Sequence, residues 1–431
     1  MTDPNGHRPH LLVMVGIGGP GPRLLAPSLA RVARISWLFD PHDLPKPDRD
    51  VPIMAEAGRA IAVASGEGLV CAAQELHAED PVQGLLTFSE SSLRAGATVA
   101  ERLGLPFNSV AATHRLTDKY LQRQALAAAG VPVPRFHPVR TAADLAPAAA
   151  AVGFPAVLKP VRGGGSALTT RVESAAQLRT AWSTAAALLG ELDRADRTHR
   201  LLADIAQPHM LLEELLVGRR WHDDPRYGDY VSVESMVCDG AVRHLAVGDK
   251  LPLAPGFREN GQVHPSVLPP DRQAEATAMA SAALAALGVT AGITHTELKL
   301  TAHGPRVIEV NGRAAGGLWV TLLRAAGYDV IEEAARAALR LGAPREPRFT
   351  GYAAMLTPCL DPDLAERGVR VELDPEFERR PGVHSVHGLH SGPFDLALGG
   401  GHALLAYVSG PGPEEIHDHW RALQAAMRLS A

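Results

Sequence analysis

The sequence predicts a mixed α/β protein, α/β at its start and α+β further on, and three observations carry that reading. Short apolar runs alternate with helix-like stretches over roughly residues 1–112, as a small doubly wound sheet requires. Two later regions, 230–247 and 295–310, instead pair alternating runs across tight turns, which is the mark of antiparallel hairpins. The stretch 346–409 breaks into short strands between Pro and Gly turns, so a β-rich segment is expected after the α/β body.

Composition narrows the function. With 431 residues, 46% of them hydrophobic and 21% charged, the chain can build two or three domains around substantial cores. A net charge of −5 without any basic block argues against nucleic acid as a partner. Cys71, Cys238 and Cys359 are odd in number and far apart, which fits a reducing compartment, the cytoplasm being the simplest. The apolar run Leu11–Ile17 is too short for a secretion signal or a membrane span, so no membrane partner is expected.

In order along the chain, Leu11–Ile17 is a buried-type strand entering Gly16-Ile17-Gly18-Gly19-Pro20-Gly21, and Ile35–Phe39 is a second strand ending at Asp40. The pair imitates a dinucleotide fingerprint. Pro20 and Pro22 crowd the turn and nothing downstream supplies hydride transfer, so a structural or substrate-anchoring loop is expected rather than an NAD site. A helix over 61–78 and a strand over Gly84–Thr87 follow. Residues 117–130 read as a helix capped by Thr117 and closed by Gly130. Lys119 falls in its first turn, where the helix dipole disfavours a cation unless an anion is held nearby.

The strand Phe154–Lys159 delivers Lys159 into a glycine-rich loop containing Gly163, Gly164, Gly165 and Ser166, and a strand over Leu168–Val172 leaves it. This strand-to-strand loop is no Walker motif, but its backbone N–H groups can cover phosphates as a lid. A helix over 174–190 and a charged connector over 191–200 come next. The strand His209–Glu213 then opens into Glu213-Glu214-Leu215-Leu216-Val217-Gly218, an extended connector whose backbone groups suit a nucleobase edge. A hairpin turns at Asp239-Gly240, and a long loop over Pro252–Ser266 carries Arg258, Glu259, Gln262 and His264. Helices are expected over Asp271–Leu287, Leu318–Leu341 and Glu414–Leu429, while His384, His387 and His390 read as surface residues.

The most informative stretch is His295–Gly317. Alternation places His295, Glu297 and Lys299 on one face of the first run, and Val307, Glu309, Asn311 and Arg313 on the facing one. With His303 at the tip, Glu297 sits opposite Glu309, and two carboxylates across a ladder repel. A divalent cation would relieve that conflict. Oxygen donors from Glu297, Glu309 and Asn311 suit Mg²⁺ rather than Zn²⁺, and such an ion usually also binds substrate phosphates.

Taken in sequence order, Lys119, Lys159 beside Gly163-Gly164-Gly165, the Glu213-Glu214 connector, Glu297 and Glu309-x-Asn311 resemble the ATP-grasp superfamily over roughly residues 1–345. More narrowly, residues 227–235, 248–252, 256–266, 294–300 and 308–317 look like the dipeptide-forming L-amino acid ligases of the bacilysin-synthetase group. The resemblance implies an ATP-grasp fold divided into a Rossmann-like domain (1–112), a linker helix and lid (113–212), a catalytic subdomain (213–345) and a β-rich extension with a final helix (346–431). It implies ATP and Mg²⁺, as two ions with Mn²⁺ as a substitute, and small carboxylate and amine substrates, amino acids first. A homodimer is left open.

By position, Lys119, Lys159, Gly163, Gly164, Gly165 and Ser166 would serve the ATP phosphates, and Glu213, Glu214 and Leu216 the adenine. Glu297, Glu309 and Asn311 would hold the metal, Arg313 the transferring phosphoryl group, and Glu259 the amino group of a substrate. Arg219-Arg220 stand where relatives carry the ribose-binding acid, so Asp229 is the next candidate. Gly316-Gly317 stand where dipeptide ligases often carry a bulky residue, implying a roomier substrate pocket. The function implied is an ATP-dependent carboxylate–amine ligase working through an acyl phosphate. The alternatives are a carboxylase or amide ligase acting on another metabolite, like the biotin carboxylases, and a nucleotide-binding protein without turnover.

Overall fold

The computed structural model describes residues 8–64, 66–195, 209–392 and 401–430, with only the backbone for 191–195. The first half of the charged connector expected over 191–200 is instead the end of a helix that runs from Ala175 to Ala195, and the remainder, 196–200, lies outside the described residues.

The first sheet is parallel and comprises β1 (His10–Val15), β2 (Arg34–Phe39), β3 (Gly58–Ala62) and β4 (Gly84–Thr87) in the order β3-β2-β1-β4. Each of its central strands is a continuous apolar run because helices cover both faces. The helix expected over 61–78 begins only at Glu67, and the residues before it are β3, paired with β2 from Ile35↔Gly58 to Phe39↔Ala62. This sheet shares a core with later parts of the chain. Leu25 and Leu29 pack in one cluster with Leu318, Leu322, Val330 and Ile331. A Cβ on Gly84 would stand 2.7 Å from the Ala338 carbonyl oxygen, so β4 and the helix Val330–Ala338 meet backbone to backbone.

The glycine loop after β1 is filled from inside. The amides of Gly16 and Ile17 donate to Ser89 Oγ and Ser91 Oγ, each at 2.9 Å, and Asp40 accepts from the His42 amide as the cap of a short turn. The apparent fingerprint is therefore a seat for residues 88–92.

A second sheet, antiparallel in the order β5-β8-β6-β7, is built from β5 (Phe136–Val139), β6 (Ala156–Pro160), β7 (Thr170–Val172) and β8 (Met210–Glu214). The helix Lys119–Ala128 leads into it, and its cap is Asp118, which accepts from the amides of Tyr120 and Leu121, rather than the expected Thr117.

The third sheet is the largest. Its eight strands run β13-β12-β9-β10-β11-β14-β18-β16, from β9 (Tyr230–Cys238), β10 (Ala241–Lys250), β11 (Gly261–His264), β12 (Gly292–Thr301), β13 (Gly304–Asn311), β14 (Tyr352–Leu356), β16 (Val383–His387) and β18 (Leu405–Gly410). The chain turns from β9 to β10 at Asp239 and Gly240, φ +48° and +80°, as the Asp-Gly pair predicts. Part of the long loop is thus β11, which pairs with both β10 and β14. The sheet runs unbroken across the expected division at residue 345. Beneath it the helix Pro270–Leu287 buries Ala276, Ala280, Ala283, Leu284 and Leu287, one face at three- and four-residue spacing, against Leu298, Leu300, Val307 and Val310.

The stretch 318–341 is two helices, Leu318–Ala326 and Val330–Ala338, because Gly327 adopts φ +60° between them. The final helix, Pro413–Ala426, stops early, and Met427–Ser430 form β19, which joins β15 (Val369–Leu373) and β17 (Ser391–Gly392) in a small fourth sheet. Of the three histidines, His387 is exposed, while His384 and His390 are partly buried. Among the described residues no helix is long and apolar enough to cross a membrane.

Candidate functional site

The lid sheet, the great sheet and the loop over 252–260 enclose a cleft of about 360 Å³. Its centre is the β12–β13 hairpin, whose register sets Glu297 against Glu309 and His295 against Asn311, as the alternation predicts. One detail differs. The pairing passes from Glu297↔Glu309 to Leu298↔Val307, so Ile308 is an extra residue in β13. That bulge turns Val307 to the core with Leu298 and sends Ile308 to the cleft wall, whereas strict alternation set Val307 beside Glu309.

Each facing carboxylate has a cationic partner. Glu309 Oε1 lies 3.0 Å from Lys119 Nζ, and that ammonium also donates to the Gly163 carbonyl at 2.8 Å. Glu297 Oε1 lies 3.1 Å from His295 Nε2, while His295 Nδ1 meets buried Glu234 at 2.7 Å. Burial pushes Glu297 up, but the His295 hydrogen bond and charge, with Lys250 and Arg313, outweigh it and bring it to about 2. Burial likewise pulls His295 down, and Glu234 with Glu297 raises it to about 9. The hairpin therefore holds Glu297 ionised.

Those acids fit a hard cation. Among the described residues no cluster of three or more His, Cys, Asp or Glu could hold a metal unaided. Two carboxylates directly across a ladder, with Asn311 two pairs further on, offer the oxygen donors that would suit a Mg²⁺ completed by phosphate and water. Asn311 is buried and stands outside the cleft lining, so it is the outermost of the three candidates.

At the nucleotide end the strands deliver a buried triad. Glu213 on β8 receives Arg123 Nε at 2.7 Å and Lys159 Nζ at 2.6 Å. Burial pushes the Glu213 carboxyl up, yet Arg123 and Lys159 together bring it down to about 2. Burial, with Arg123 beside it, holds the Lys159 ammonium below its ordinary range despite Glu213. Glu213 was expected at the adenine. Its carboxylate is instead consumed by this triad, which aims Lys159 into the cleft from behind. Glu214, Leu215 and Leu216 do line the cleft beside it, Glu214 with Arg135 Nε at 3.1 Å. Asp229 stands apart from the lining, its carboxylate held by Lys299 Nζ at 2.6 Å, and Lys299 is the residue that reaches the cleft.

Gly163, Gly164, Gly165 and Ser166 form the roof. Ser166 Oγ donates to the Phe257 carbonyl at 2.8 Å, so the glycine-rich loop is latched onto the 252–260 loop. Below it, Arg313 Nε stands 3.0 Å from Glu90 of the first domain. Neither atom has a directed hydrogen-bond partner, so this is a charge contact rather than a locked geometry. Burial raises the Glu90 carboxyl, with Arg313 opposing and Glu309 adding.

The far end holds Glu259, gripped by the buried Lys250 ammonium through both oxygens at 3.0 Å, with Gln262, Gly316, Met355 and His402 around it. Gly317 is not part of the lining. Its φ of +75° and the 2.7 Å between a built Cβ and both Met355 Sδ and Tyr407 Cε1 make it a packing glycine, so the room expected beside Gly316-Gly317 is taken by Met355. Sequence reasoning missed Arg123, Glu90, Lys250, Lys299 and His402. Arg123, Glu90 and His402 lie on distant elements and carry no local motif, whereas Lys250 sits in the marked 248–252 stretch and Lys299 was placed on the face of Glu297 without a role.

The ATP-grasp domain family matches residues 152–322. Alanine–anticapsin ligase of Bacillus subtilis is 28% identical over 65% of this chain and 55% of its own length. Carnosine synthase 1 of Homo sapiens is 30% identical over 63% of this chain and 32% of its own. The chain thus spans about half the length, or less, of these curated relatives. The crystal structure of an L-amino acid ligase from Bacillus licheniformis superposes with a TM-score of 0.78 over 98% of both chains at 20% identity. A biotin carboxylase domain from Hydrogenobacter thermophilus, solved with magnesium and ADP, gives 0.64 over 97% of this chain and 90% of its own at 15% identity. The fold over the whole chain is that of the ATP-grasp ligases.

Proposed function

We propose that this ATP-grasp chain is an ADP-forming carboxylate–amine ligase that joins two amino acids, or an amino acid and a related acid, through an acyl phosphate. The observation that carries the reading is one cleft with two unlike ends. Lys119, Lys159, Arg313 and the facing acids Glu297 and Glu309 form a phosphate end, and Glu259 with Gln262 forms a polar end sized for a small zwitterion. The named relatives, which join alanine to anticapsin or make carnosine, support it.

In this reading Glu297, Glu309 and Asn311 hold Mg²⁺, which neutralises phosphate charge when bound. Lys119 exchanges its contact with Glu309 for a phosphate oxygen, and Lys159 is held at the phosphates by Glu213. Arg313, free of a directed bond to Glu90, turns to the transferring phosphoryl group. The Ser166–Phe257 latch keeps water from the acyl phosphate, whose hydrolysis is the competing reaction. Leu216 and Glu214 flank the adenine, and Asp229 serves the ribose only through Lys299, which reaches the cleft. The division at 112, 212 and 345 is kept as a division of labour. Three free cysteines support a cytoplasmic setting.

Release of ADP in a screen of paired amino acids, with mass spectrometry of the product, tests the proposal. ADP release that depends on bicarbonate instead, or nucleotide binding without any ADP, would replace it with the carboxylase or the non-catalytic reading.

A further inference from the structure

We propose that Arg258 binds the free carboxylate of the nucleophilic substrate, so that the enzyme accepts amino acids and rejects the corresponding simple amines and amides. The inference deepens the ligase reading above and rests on it.

Arg258 is only 4% exposed and lines the cleft. Its Nε donates to the Pro255 carbonyl at 2.9 Å and its Nη1 reaches the Gly401 carbonyl at a long 3.5 Å. Its Nη2 is buried with no hydrogen-bond partner, and among the described residues Arg258 forms no ion pair. Its neighbours differ. Lys119, Lys159, Lys250, Lys299 and Arg313, which share the cleft, each stand against a carboxylate. A guanidinium taken out of water without an anion is strongly disfavoured, so the position calls for an anionic ligand.

The chemistry of the reaction says which anion. The donor's carboxylate is phosphorylated and must lie with Arg313 and the metal acids, leaving its ammonium for Glu259. The acceptor loses its amine to the new bond and keeps its carboxylate. A planar guanidinium with an open Nη2 matches that carboxylate. His402 beside it is engaged through Nδ1, which donates to the Thr357 carbonyl at 3.2 Å, and burial holds the ring below its ordinary value. The position is also built in advance. Phe257, immediately before Arg258, is held at φ +60°, an uncommon conformation for a bulky residue, and the Ser166 hydroxyl fixes its carbonyl. The Ser166 hydrogen bond therefore holds the residue next to Arg258 in place.

The test uses the full chain and the pair of standard L-amino acids that releases ADP fastest. The acceptor is then replaced by its primary amide and by its decarboxylated amine. The proposal expects both to be poorer acceptors by roughly thirtyfold or more, as for loss of one partner of a buried charge pair. Arg258→Gln should raise the acceptor KM by a similar factor, leave the KM for ATP and for the donor within about threefold, and erase the preference for acid over amide. Arg258→Lys should restore part of it. Equal use of acid and amide by the unaltered enzyme overturns the proposal while leaving the ligase reading intact. A variant that loses ATP affinity or melting temperature yet still prefers the acid assigns Arg258 to phosphate binding or to the loop, and overturns it too. No ADP release with any pair removes the ligase reading and this inference with it.

Discussion

Glu309 carries more than one duty, since it faces Glu297 across the hairpin and also holds Lys119. Glu309→Gln keeps the side chain's size and removes the charge that a metal and Lys119 both need. ADP formation is expected to fall by at least about a thousandfold, the scale of losing a principal electrostatic contact in a phosphoryl-transfer site, with a melting temperature close to that of the parent. Coupled ADP assay and thermal unfolding measure the two, and unimpaired turnover would sink the metal assignment. Glu213 makes a different kind of statement, about pH. Its carboxyl is depressed from an ordinary 4.5 to about 2, so its contribution to stability is present above 4.5 and is lost as pH falls through 2. That contribution is on the order of 3 kcal/mol. Urea unfolding between pH 5 and 2 should therefore show a shallower loss of stability in Glu213→Gln than in the parent, and parallel slopes would mean that the triad is not ionised. Lys159 was legible in the sequence because a lysine beside three glycines is a local pattern. Its partner was not, because Arg123 and Glu213 meet only once β8 pairs with β6 and the helix Lys119–Ala128 docks.

At the scale of elements, the hairpin was legible in its register and illegible in its bulge. A Gly-Pro break between alternating runs fixes which residues oppose, and Glu297↔Glu309 follows from counting. The extra residue at Ile308 leaves no trace in composition, yet it decides that Val307 supports the core while Ile308 lines the cleft. Gly317 shows the converse, a residue whose type was noticed and whose reason was not. The sequence marks two small residues where relatives are bulky. The structure shows a left-handed helix start under Met355 and Tyr407, side chains supplied by strands β14 and β18 about 40 and 90 residues downstream. Gly317→Ala is expected to cost about 1–3 kcal/mol, from the left-handed backbone and the crowding together, read as a lower urea midpoint with substrate preference unchanged. An altered choice of amino acids at full stability would return Gly317 to the substrate pocket.

On the scale of the molecule, the first domain reaches the candidate site through Glu90, which stands against Arg313. The glycine loop after β1 donates the Gly16 and Ile17 amides to Ser89 and Ser91, which bracket Glu90, and Glu90 reaches Arg313 beyond the β12–β13 hairpin. The loop that imitated a cofactor fingerprint thus sets the position of the residue proposed to meet the transferring phosphoryl group. The two bodies are also locked elsewhere, by Ser28 to Asp329 at 2.7 Å, Arg31 to Glu332 at 3.0 Å and the shared apolar cluster. Changing Glu90 should therefore leave the domains docked and disturb only the charge beside Arg313. Glu90→Gln retains the shape and is expected to lower kcat by about ten- to a hundredfold, with the KM for ATP within about threefold, since a positioning group for one phosphoryl contact acts in the transition state more than in binding. The direction separates two roles. If Glu90 merely restrains Arg313 from the phosphate, its neutralisation frees the guanidinium and raises ATP affinity and ADP release together. If it orients Arg313, kcat falls alone, and Arg313→Lys combined with Glu90→Gln loses little more than Arg313→Lys by itself, because the acid then has no fork left to aim.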